Sequence, residues 1–315
     1  MKLNESAAKL CSSLVDRAER LRIAVTQCES GARLIDCGID VPGGLEAGLA
    51  LANICMAGLA RIDLVPGGPD LWPGPSVAVT TDQPASACMA SQYAGWQITG
   101  EDYFAIGSGP MRAAAGREEL FEKIGRRESP AHAVGVLESA KLPPPVVCRK
   151  VAKACGVEAA ALTLLVAPTA SQAGTVQVVA RSVETALHKM LELGFDLERI
   201  DSGYGLAPLP PVAGDDLAGI GRTNDAVLYG GQVTLWIRGV DDASLAEIGP
   251  KIPSCASPDH GQPFAAIFER YDRDFYKIDP HLFSPAVVTL ANLETGKSFS
   301  FGQTLPRVIH ESFRN

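Results

Sequence analysis

The sequence of 315 residues has few of the features by which proteins bind nucleic acids or membrane surfaces. It has 28 Lys and Arg against 36 Asp and Glu, a formal net charge of −8, and no block of basic residues. Basic surfaces supply most of the affinity of proteins for phosphate backbones and for anionic lipids. We therefore expect neither nucleic acid nor a membrane surface among the partners.

Long apolar runs are also missing. The longest stretch without a charged residue, 159–180, is interrupted by Pro168, Gly174 and several polar residues. Its apolar part ends at Ala167 and has the length of a strand, whereas a membrane-spanning helix needs about 20 apolar residues. The N-terminus lacks the apolar core of a signal peptide. These observations predict a cytoplasmic protein.

Patterns of metal ligands are absent as well. The eight cysteines are far apart with no CxxC pair, and the five histidines form no HExxH or HxE motif. Cysteines with apolar neighbours, such as Cys55 and Cys148, are typical of buried thiols in a reducing compartment. A zinc hydrolase or deaminase is disfavoured and no metal is expected, but a metal site built from residues distant in sequence stays open.

The elements that the sequence does contain predict an α+β protein. Helices are expected at 4–21 with Asn4 as N-cap, at 45–59 and at 176–193, and strands at 77–80, 161–166, 233–237 and 264–268, with hairpins at 22–38 and 286–301. Strands and helices do not alternate regularly, which favours α+β layers over a doubly wound sheet. The proline-rich segment 206–211 is predicted to connect two domains, 1–95 plus 212–315 and 96–211.

One predicted helix carries a candidate acid–base pair. Arg181, Glu184 and His188 are spaced so that they share one face of the helix at 176–193. A carboxylate beside a guanidinium is suited to general base catalysis. A solvent-exposed ion pair is the more common arrangement of such residues, and their position opposite the valine stripe supports it. The charge-poor loop of Ser, Gln and Gly before the helix is the observation against it.

Two glycine pairs fall short of nucleotide-binding motifs. After Gly107-Ser-Gly109 the third glycine of GxGxxG is replaced by Arg112, and after Gly203-Tyr-Gly205 it is replaced by Pro208. The GK[ST] of a P-loop is also missing. Ordinary tight turns are therefore predicted at both places.

The charged segment 272–280 contains Lys277 between carboxylates. It is either a surface turn, because Pro280 favours an extended residue before it, or a site where the lysine meets an anionic ligand group. Trp96 could stack on a planar ring, but it could equally belong to the core.

Several long segments, taken together, resemble the methenyltetrahydromethanopterin cyclohydrolase family. The segments are Gln172 to Lys189, Thr223 to Gly231 and Phe275 to Pro285, with shorter blocks at Ser91 to Trp96 and Gly107 to Pro110. They occur in the order of the family, from about residue 25 to 303, so the resemblance covers nearly the whole chain.

The resemblance implies a hydrolase that reversibly converts 5,10-methenyltetrahydromethanopterin to the 5-formyl compound. This step belongs to one-carbon metabolism, in methanogenesis and in the formaldehyde oxidation of methylotrophs. The family also implies a two-domain α+β fold with the active-site cleft between the domains, a homotrimer, and no cofactor besides the pterin substrate.

Residue roles follow from the same resemblance. The family's catalytic Arg-x-x-Glu pair corresponds to Arg181 and Glu184, and its Tyr-Lys-Ile-Asp-Pro string places a ligand-binding lysine at Lys277. Further substrate contacts are expected in the matching blocks, at Ser91, Gln92, Gly95, Ser108, Gly109 and Asn224. A non-catalytic pterin carrier and a metal-dependent amidohydrolase are the alternatives.

The chemistry of the substrate agrees with these residues. Its methenyl carbon lies between two nitrogens in a cationic amidinium and is already electrophilic, so no metal is needed to polarise it. Attack by water releases a proton, and the departing ring nitrogen takes one up. A single carboxylate can carry out both transfers. Glu184 is the expected base and acid, kept ionised and oriented by Arg181.

Overall fold

The computed structural model describes residues 2–274 and 277–314. The chain forms two compact units: unit 1 comprises residues 1–60 and 86–177, and unit 2 comprises residues 61–85 and 178–315. Each unit contains its own six-stranded mixed sheet with helices, which confirms the α+β class and a two-domain organisation. These boundaries differ from the expected 1–95 plus 212–315 and 96–211.

The strands are β1 (Ala24–Gln27), β2 (Arg33–Asp36), β3 (Arg61–Val65), β4 (Ser76–Thr81), β5 (Trp96–Gly100), β6 (Tyr103–Ser108), β7 (Ala133–Glu138), β8 (Leu162–Ala167), β9 (Ile200–Pro208), β10 (Gln232–Ile237), β11 (Val287–Asn292) and β12 (Ser298–Gly302). The helices are α1 (Leu3–Val15), α2 (Ala18–Leu21), α3 (Leu45–Cys55), α4 (Met111–Ala115), α5 (Leu120–Ile124), α6 (Pro145–Ala154), α7 (Gln172–Val179), α8 (Ser182–Glu192), α9 (Asp216–Gly230), α10 (Asp242–Ile248), α11 (Phe264–Arg270) and α12 (Pro306–Arg314). A π-helix covers Ala85–Gln92.

The sheet of unit 1 has the order β1-β2-β8-β7-β6-β5. Strands β2, β8 and β7 are parallel, and the other neighbours are antiparallel. Successive residues of a strand point to opposite faces. Leu165 of β8 accordingly joins a core with α1 and α3, while Leu164 joins a second core with α6. Unit 1 is therefore a sheet with an apolar core on each face.

The sheet of unit 2 has the order β12-β11-β10-β9-β4-β3, and only its β10–β11 neighbours run parallel. Helix α8 packs on β9 and β10. Residues 206–208 belong to β9, where Leu206 pairs with Ala78 of β4. The beginning of the proline-rich segment is thus part of the sheet of unit 2, which is why the unit boundaries do not fall at 211.

The structure differs from the predicted elements at several places. The helix expected at 4–21 is interrupted between α1 and α2, and the tight turn expected at Gly203-Tyr-Gly205 is part of strand β9. Residues 264–268 form the start of α11 instead of a strand, because Phe264, Ile267 and Phe268 are buried together at helical spacing. The helix expected at 176–193 is interrupted between α7 and α8. Asn4 lies within α1, where its buried amide donates to Pro110 O at 2.8 Å instead of capping the helix.

Across residues 2–274 and 277–314, no helix has both the length and the apolar character needed to cross a bilayer.

Candidate active site

The break between α7 and α8 determines where the predicted catalytic pair lies. Arg181 is the residue before α8, with φ −87° and ψ 5°. Its N–H binds Val178 O at 3.1 Å, and its carbonyl accepts the first hydrogen bond of α8, from Thr185 N at 2.9 Å. This bridge region of φ/ψ space is sparsely populated and often found at active sites. Arg181 and Glu184 therefore occupy the first turn of a helix, and not its middle.

Arg181 and Glu184 form an ion pair, as their spacing predicts, but it is a buried one. Arg181 Nη1 lies 4.0 Å from Glu184 Oε2, and the two side chains are only 7% and 6% exposed. The interpretation as a solvent-exposed pair is therefore wrong. Removing charges from water costs several kcal/mol per ion, and an ion pair recovers this only with very good geometry. Buried charged groups of this kind are candidates for function rather than for stability.

Two glycines of β9 allow α8 to begin where it does. A Cβ at Gly205 would lie 2.3 Å from Ser182 Oγ and 2.8 Å from Val183 Cγ2, and one at Gly203 would lie 2.9 Å from Val183 Cγ1. Side chains at these two positions would push the first turn of α8 away from the sheet. The Gly-x-Gly motif at 203–205, which resembles no nucleotide site, thus positions the residues between Arg181 and Glu184.

Lys189 connects the same helix to the segment after Lys277. Its side chain is nearly fully buried, and its Nζ donates to His281 O at 2.7 Å. Burial lowers the pKa of Lys189 to about 8, against the opposing effect of the carboxylate of Asp279. The sequence analysis missed this residue. Its burial is indicated in the sequence by its position close to the apolar stripe of the helix, next to Met190.

Lys277 is at the surface of unit 2. Its Nζ lies 3.1 Å from Asp272 Oδ2, and the two side chains are 54% and 84% exposed. Asp279 then caps the short 3-10 turn at Pro280–Leu282 by accepting from His281 N. The aromatic residues 275 and 276, which belong to the matching string, lie outside the described residues. The predicted surface turn is present at this segment, and the exposed side chain of Lys277 is also accessible to a ligand.

Asn224 lies in the middle of α9, within unit 2. Its side chain is partly buried and donates to Ile220 O of the same helix at 2.8 Å. Its neighbour Asp225 is fully buried and accepts a hydrogen bond from Phe264 N at 2.8 Å, which fixes the start of α11. Burial raises the pKa of Asp225 to about 7. The segment 223–231, one of those that resemble the family, thus includes a residue, Asp225, that joins α9 to α11.

The remaining predicted contacts belong to unit 1, at the end of the π-helix and at the turn after β6. Ser91, Gln92 and Ser108 are buried, and Gly95 is exposed. The Ser91 hydroxyl donates to Cys55 O at 2.6 Å, and the Ser108 hydroxyl lies 3.3 Å from Val136 O.

The backbone of the turn after β6 is hydrogen-bonded to the end of the π-helix. Gly109 has φ +90°, which is the tight turn predicted at this place, and its N–H binds Ser91 O at 2.8 Å. Ser91, Ser108 and Gly109 therefore form an internal framework for the segment that ends at the exposed Gly95.

The nine predicted residues are divided between the units. Arg181, Glu184, Lys277 and Asn224 belong to unit 2, and the other five belong to unit 1. An open groove of about 730 Å³ lies beside α1, β1 and β2 of unit 1, and none of the nine residues lines it. In the described part of the chain, no three or more His, Cys, Asp or Glu side chains are grouped so that they could hold a metal ion.

Comparison with known proteins identifies the family. The family model described as Cyclohydrolase (MCH) matches residues 2–313. The chain belongs to the cyclohydrolase family. A protein of Methylobacillus flagellatus named methenyltetrahydromethanopterin cyclohydrolase is 47% identical over 99% of this chain and 95% of its own length.

Two further members of the cyclohydrolase family carry the same name. The protein of Rhodopirellula baltica is 47% identical over 99% of this chain and 94% of its own length. That of Methanospirillum hungatei is 42% identical over 99% of this chain and 98% of its own length. The family resemblance predicted from the sequence is thereby confirmed.

Proposed function

We propose that this protein catalyses the reversible hydrolysis of 5,10-methenyltetrahydromethanopterin to 5-formyltetrahydromethanopterin. The observation that carries the proposal is the buried Arg181–Glu184 pair, at 4.0 Å, in a chain that matches the cyclohydrolase family over residues 2–313. The names of the relatives at 42–47% identity support the substrate and the reaction.

Glu184 carries the proton transfers in this mechanism. Water attacks the amidinium carbon, a new carbon–oxygen bond forms, and the Glu184 carboxylate accepts the proton that water loses. The tetrahedral hydroxy intermediate then breaks its bond to the departing ring nitrogen. Glu184 returns the proton to that nitrogen, the hydroxyl of the intermediate loses its own proton to solvent as the carbonyl forms, and the formyl group remains on the other nitrogen. The carboxylate is regenerated, so one residue serves as base and then as acid.

Arg181 keeps the carboxylate in the charge state and orientation that the first step needs. A guanidinium at 4.0 Å stabilises a carboxylate strongly where little water is present to screen the two charges. The separation exceeds hydrogen-bond length, so this contact does not fix the carboxylate in a bidentate fork. An ionised Glu184 also attracts the cationic substrate.

Substrate binding involves the other predicted residues. We assign the pterin to the segment of unit 1 that contains Ser91, Gln92 and Gly95, together with the turn at Ser108 and Gly109, where neutral hydrogen-bonding groups suit an amide edge. Lys277 is assigned to an anionic group of the substrate, because it is a surface cation whose ion pair with Asp272 is largely open to solvent. Asn224 is the weakest of these assignments, since its amide binds its own helix.

We base the proposed oligomeric state on the family resemblance and the proposed cellular location on the sequence. We expect a homotrimer in the cytoplasm that binds no nucleic acid, and light scattering of the purified protein would measure the mass of the assembly. A monomer that is fully active would contradict the expectation of a trimer.

The deciding experiment follows the near-UV absorbance of the methenyl compound. Catalytic amounts of the protein should remove this absorbance over many turnovers, and EDTA should leave the rate unchanged, because the amidinium needs no metal. Binding of one substrate per site without turnover would favour the pterin carrier. Activity that EDTA abolishes and zinc restores would favour a metal-dependent amidohydrolase.

A further inference from the structure

Arg112 is a buried cation that the proposed mechanism does not use. Its side chain is fully buried in unit 1, although Arg is almost never found in this state without a partner. The partner is Glu118, whose two carboxylate oxygens lie 2.5 Å from Arg112 Nη2 and 3.2 Å from Nε. This bidentate geometry is the strongest form of an Arg–carboxylate contact.

Two aromatic rings complete the environment of the guanidinium. Arg112 Cζ lies 4.8 Å from the centroid of the Tyr93 ring and 5.3 Å from that of Phe121. Guanidinium groups stack favourably on aromatic rings, whereas the ammonium of lysine offers no planar surface. Tyr93 directly follows Gln92, so this contact fixes the chain immediately after the π-helix.

The remaining hydrogen bonds of Arg112 reach the end of the π-helix itself. Arg112 Nη1 donates to Met89 O at 2.9 Å and to Ser91 O at 3.4 Å. Carbonyls at the end of a helix need such donors, and cationic side chains supply them well. One side chain thus contacts two carbonyls and the Tyr93 ring of this short segment, and it is held there by the Phe121 ring and the Glu118 carboxylate.

Gly95 shows how closely the segment folds back on this cluster. A Cβ at Gly95 would lie 2.6 Å from Tyr93 Cε1 and 3.4 Å from Glu118 Cδ. The chain between Met89 and Trp96 therefore turns around the pair of Arg112 and Glu118, and its path depends on both side chains.

We propose that Arg112, held by Glu118, is the positioning residue of the substrate-binding segment, defined as residues 89–96. The inference rests on the proposed function, which assigns the pterin to this segment. Arg112 itself does not touch the substrate, because its donors are directed to Met89, Ser91 and Glu118. The ion pair by itself is weak evidence of a stabilising role, since buried ion pairs can often be replaced by apolar residues without loss.

The main test is Arg112→Lys, which keeps the charge but removes the planar fork. We expect KM for the methenyl compound to rise about tenfold, equivalent to about 1.4 kcal/mol of binding free energy, while kcat changes little. Amide hydrogen exchange without substrate should become faster in residues 89–96 and stay unchanged in the strands. The matched control is Arg149→Lys on the exposed face of α6, which should leave both measurements unchanged.

A second variant keeps the test decisive if Arg112→Lys does not fold. Glu118→Gln preserves the shape of the partner and removes its charge, so it should raise KM in the same direction with a smaller effect. An unchanged KM in a folded variant would overturn the inference while the proposed function stands. A lower kcat together with a higher KM and a loss of hydrogen-exchange protection throughout the protein would also overturn it, since this result indicates a purely structural role.

Failure of the proposed function gives a different result. In that case the wild-type protein does not turn over the methenyl compound at all. Hydrogen exchange, which needs no substrate, still shows whether Arg112 holds residues 89–96.

Discussion

The two units of the chain differ in charge although they are similar in architecture. Unit 1 has 15 Lys and Arg and 15 Asp and Glu, whereas unit 2 has 13 and 21, so the entire net charge of −8 belongs to unit 2. Seven of the eight cysteines lie in unit 1. The net charge of the whole chain therefore hides a difference between a neutral unit 1 and an acidic unit 2. We expect the proposed cationic substrate to be attracted mainly by unit 2, which contains Arg181 and Glu184.

A second difference concerns one Arg–Glu ion pair in each unit. In unit 1, Arg112 and Glu118 form a bidentate contact with N–O distances of 2.5 and 3.2 Å. In unit 2, Arg181 and Glu184 approach only to 4.0 Å. We propose different roles for the two pairs. The bidentate pair positions the backbone around it, whereas the pair at 4.0 Å supplies the carboxylate that exchanges a proton.

The largest effect that tests this comparison is expected from Glu184→Gln. Turnover should fall by at least ~10², the usual scale for the loss of a general base, while the thermal unfolding temperature stays close to that of the wild type. Steady-state rates from the near-UV absorbance give the turnover. Glu118→Gln is the matched control, because it should change KM instead of kcat. Near-normal turnover of the Glu184 variant would remove Glu184 from the mechanism.

A smaller effect is expected from Gly205→Ala. Its Cβ would lie 2.3 Å from Ser182 Oγ, so the first turn of α8 must shift. Overpacking of this kind costs about 1–3 kcal/mol of stability, and a small displacement of catalytic groups lowers kcat, here by roughly tenfold. Denaturant unfolding and steady-state kinetics measure the two effects. Gly214→Ala, with nothing within 4 Å, should change neither, and equal behaviour of both variants would refute the positioning role of Gly205.

Asp225 is expected to make the stability of unit 2 depend on pH. Burial raises its pKa from 3.8 to about 7 in the folded state, so the folded protein binds a proton that the unfolded chain releases between these values. The contribution of Asp225 to the free energy of unfolding is fully present below about pH 4 and is lost as the pH rises to about 7.

The variant that tests this dependence is Asp225→Asn. An amide can still accept from Phe264 N but does not ionise. The free energy of unfolding of the variant minus that of the wild type should therefore increase between about pH 4 and 7, and stay constant above it. Urea unfolding at several pH values measures this difference. A difference independent of pH would show that Asp225 does not titrate in this range.

The smallest effect concerns thiol reactivity, which distinguishes the units without affecting catalysis. Burial raises the pKa of Cys11 and Cys155 to about 12, whereas Cys255 of unit 2 is exposed. A disulfide reagent should therefore modify Cys255 first, and Cys255→Ser should abolish the fast phase. Fast modification of Cys11 or Cys155 in the native protein would show that the core of unit 1 opens readily.

Predictions from local patterns were correct where one pattern was clear. The hairpin of β1 and β2 and the strand β10 both agree with the structure. The segment 264–268 failed because a short apolar run suits a strand or a buried helix equally well. Its helix is decided by the carboxylate of Asp225, about 40 positions earlier, which binds Phe264 N.

The candidate site could be predicted in its residues but not in its surroundings. Spacing brought Arg181 and Glu184 together, and the family resemblance assigned their roles. Their burial could not be predicted, because it depends on β9, whose glycines let the first turn of α8 approach the sheet. Arg112 was noted only as the residue that breaks a glycine motif. Its partners Met89 and Glu118 come from separate segments that meet only in the folded unit.

The sequence by itself determined the α+β class and the family, and it led to the proposal of Arg181 and Glu184 as the catalytic pair, because these depend on local spacing and on long matching segments. Only the tertiary structure decided which carboxylate is held in a bidentate contact and which is not. Both pairs look alike in one dimension, as an arginine followed by a glutamate a few residues later. The difference arises from N–O distances of 2.5 and 3.2 Å in one pair against 4.0 Å in the other, which are set by packing against strands and helices far away in the chain.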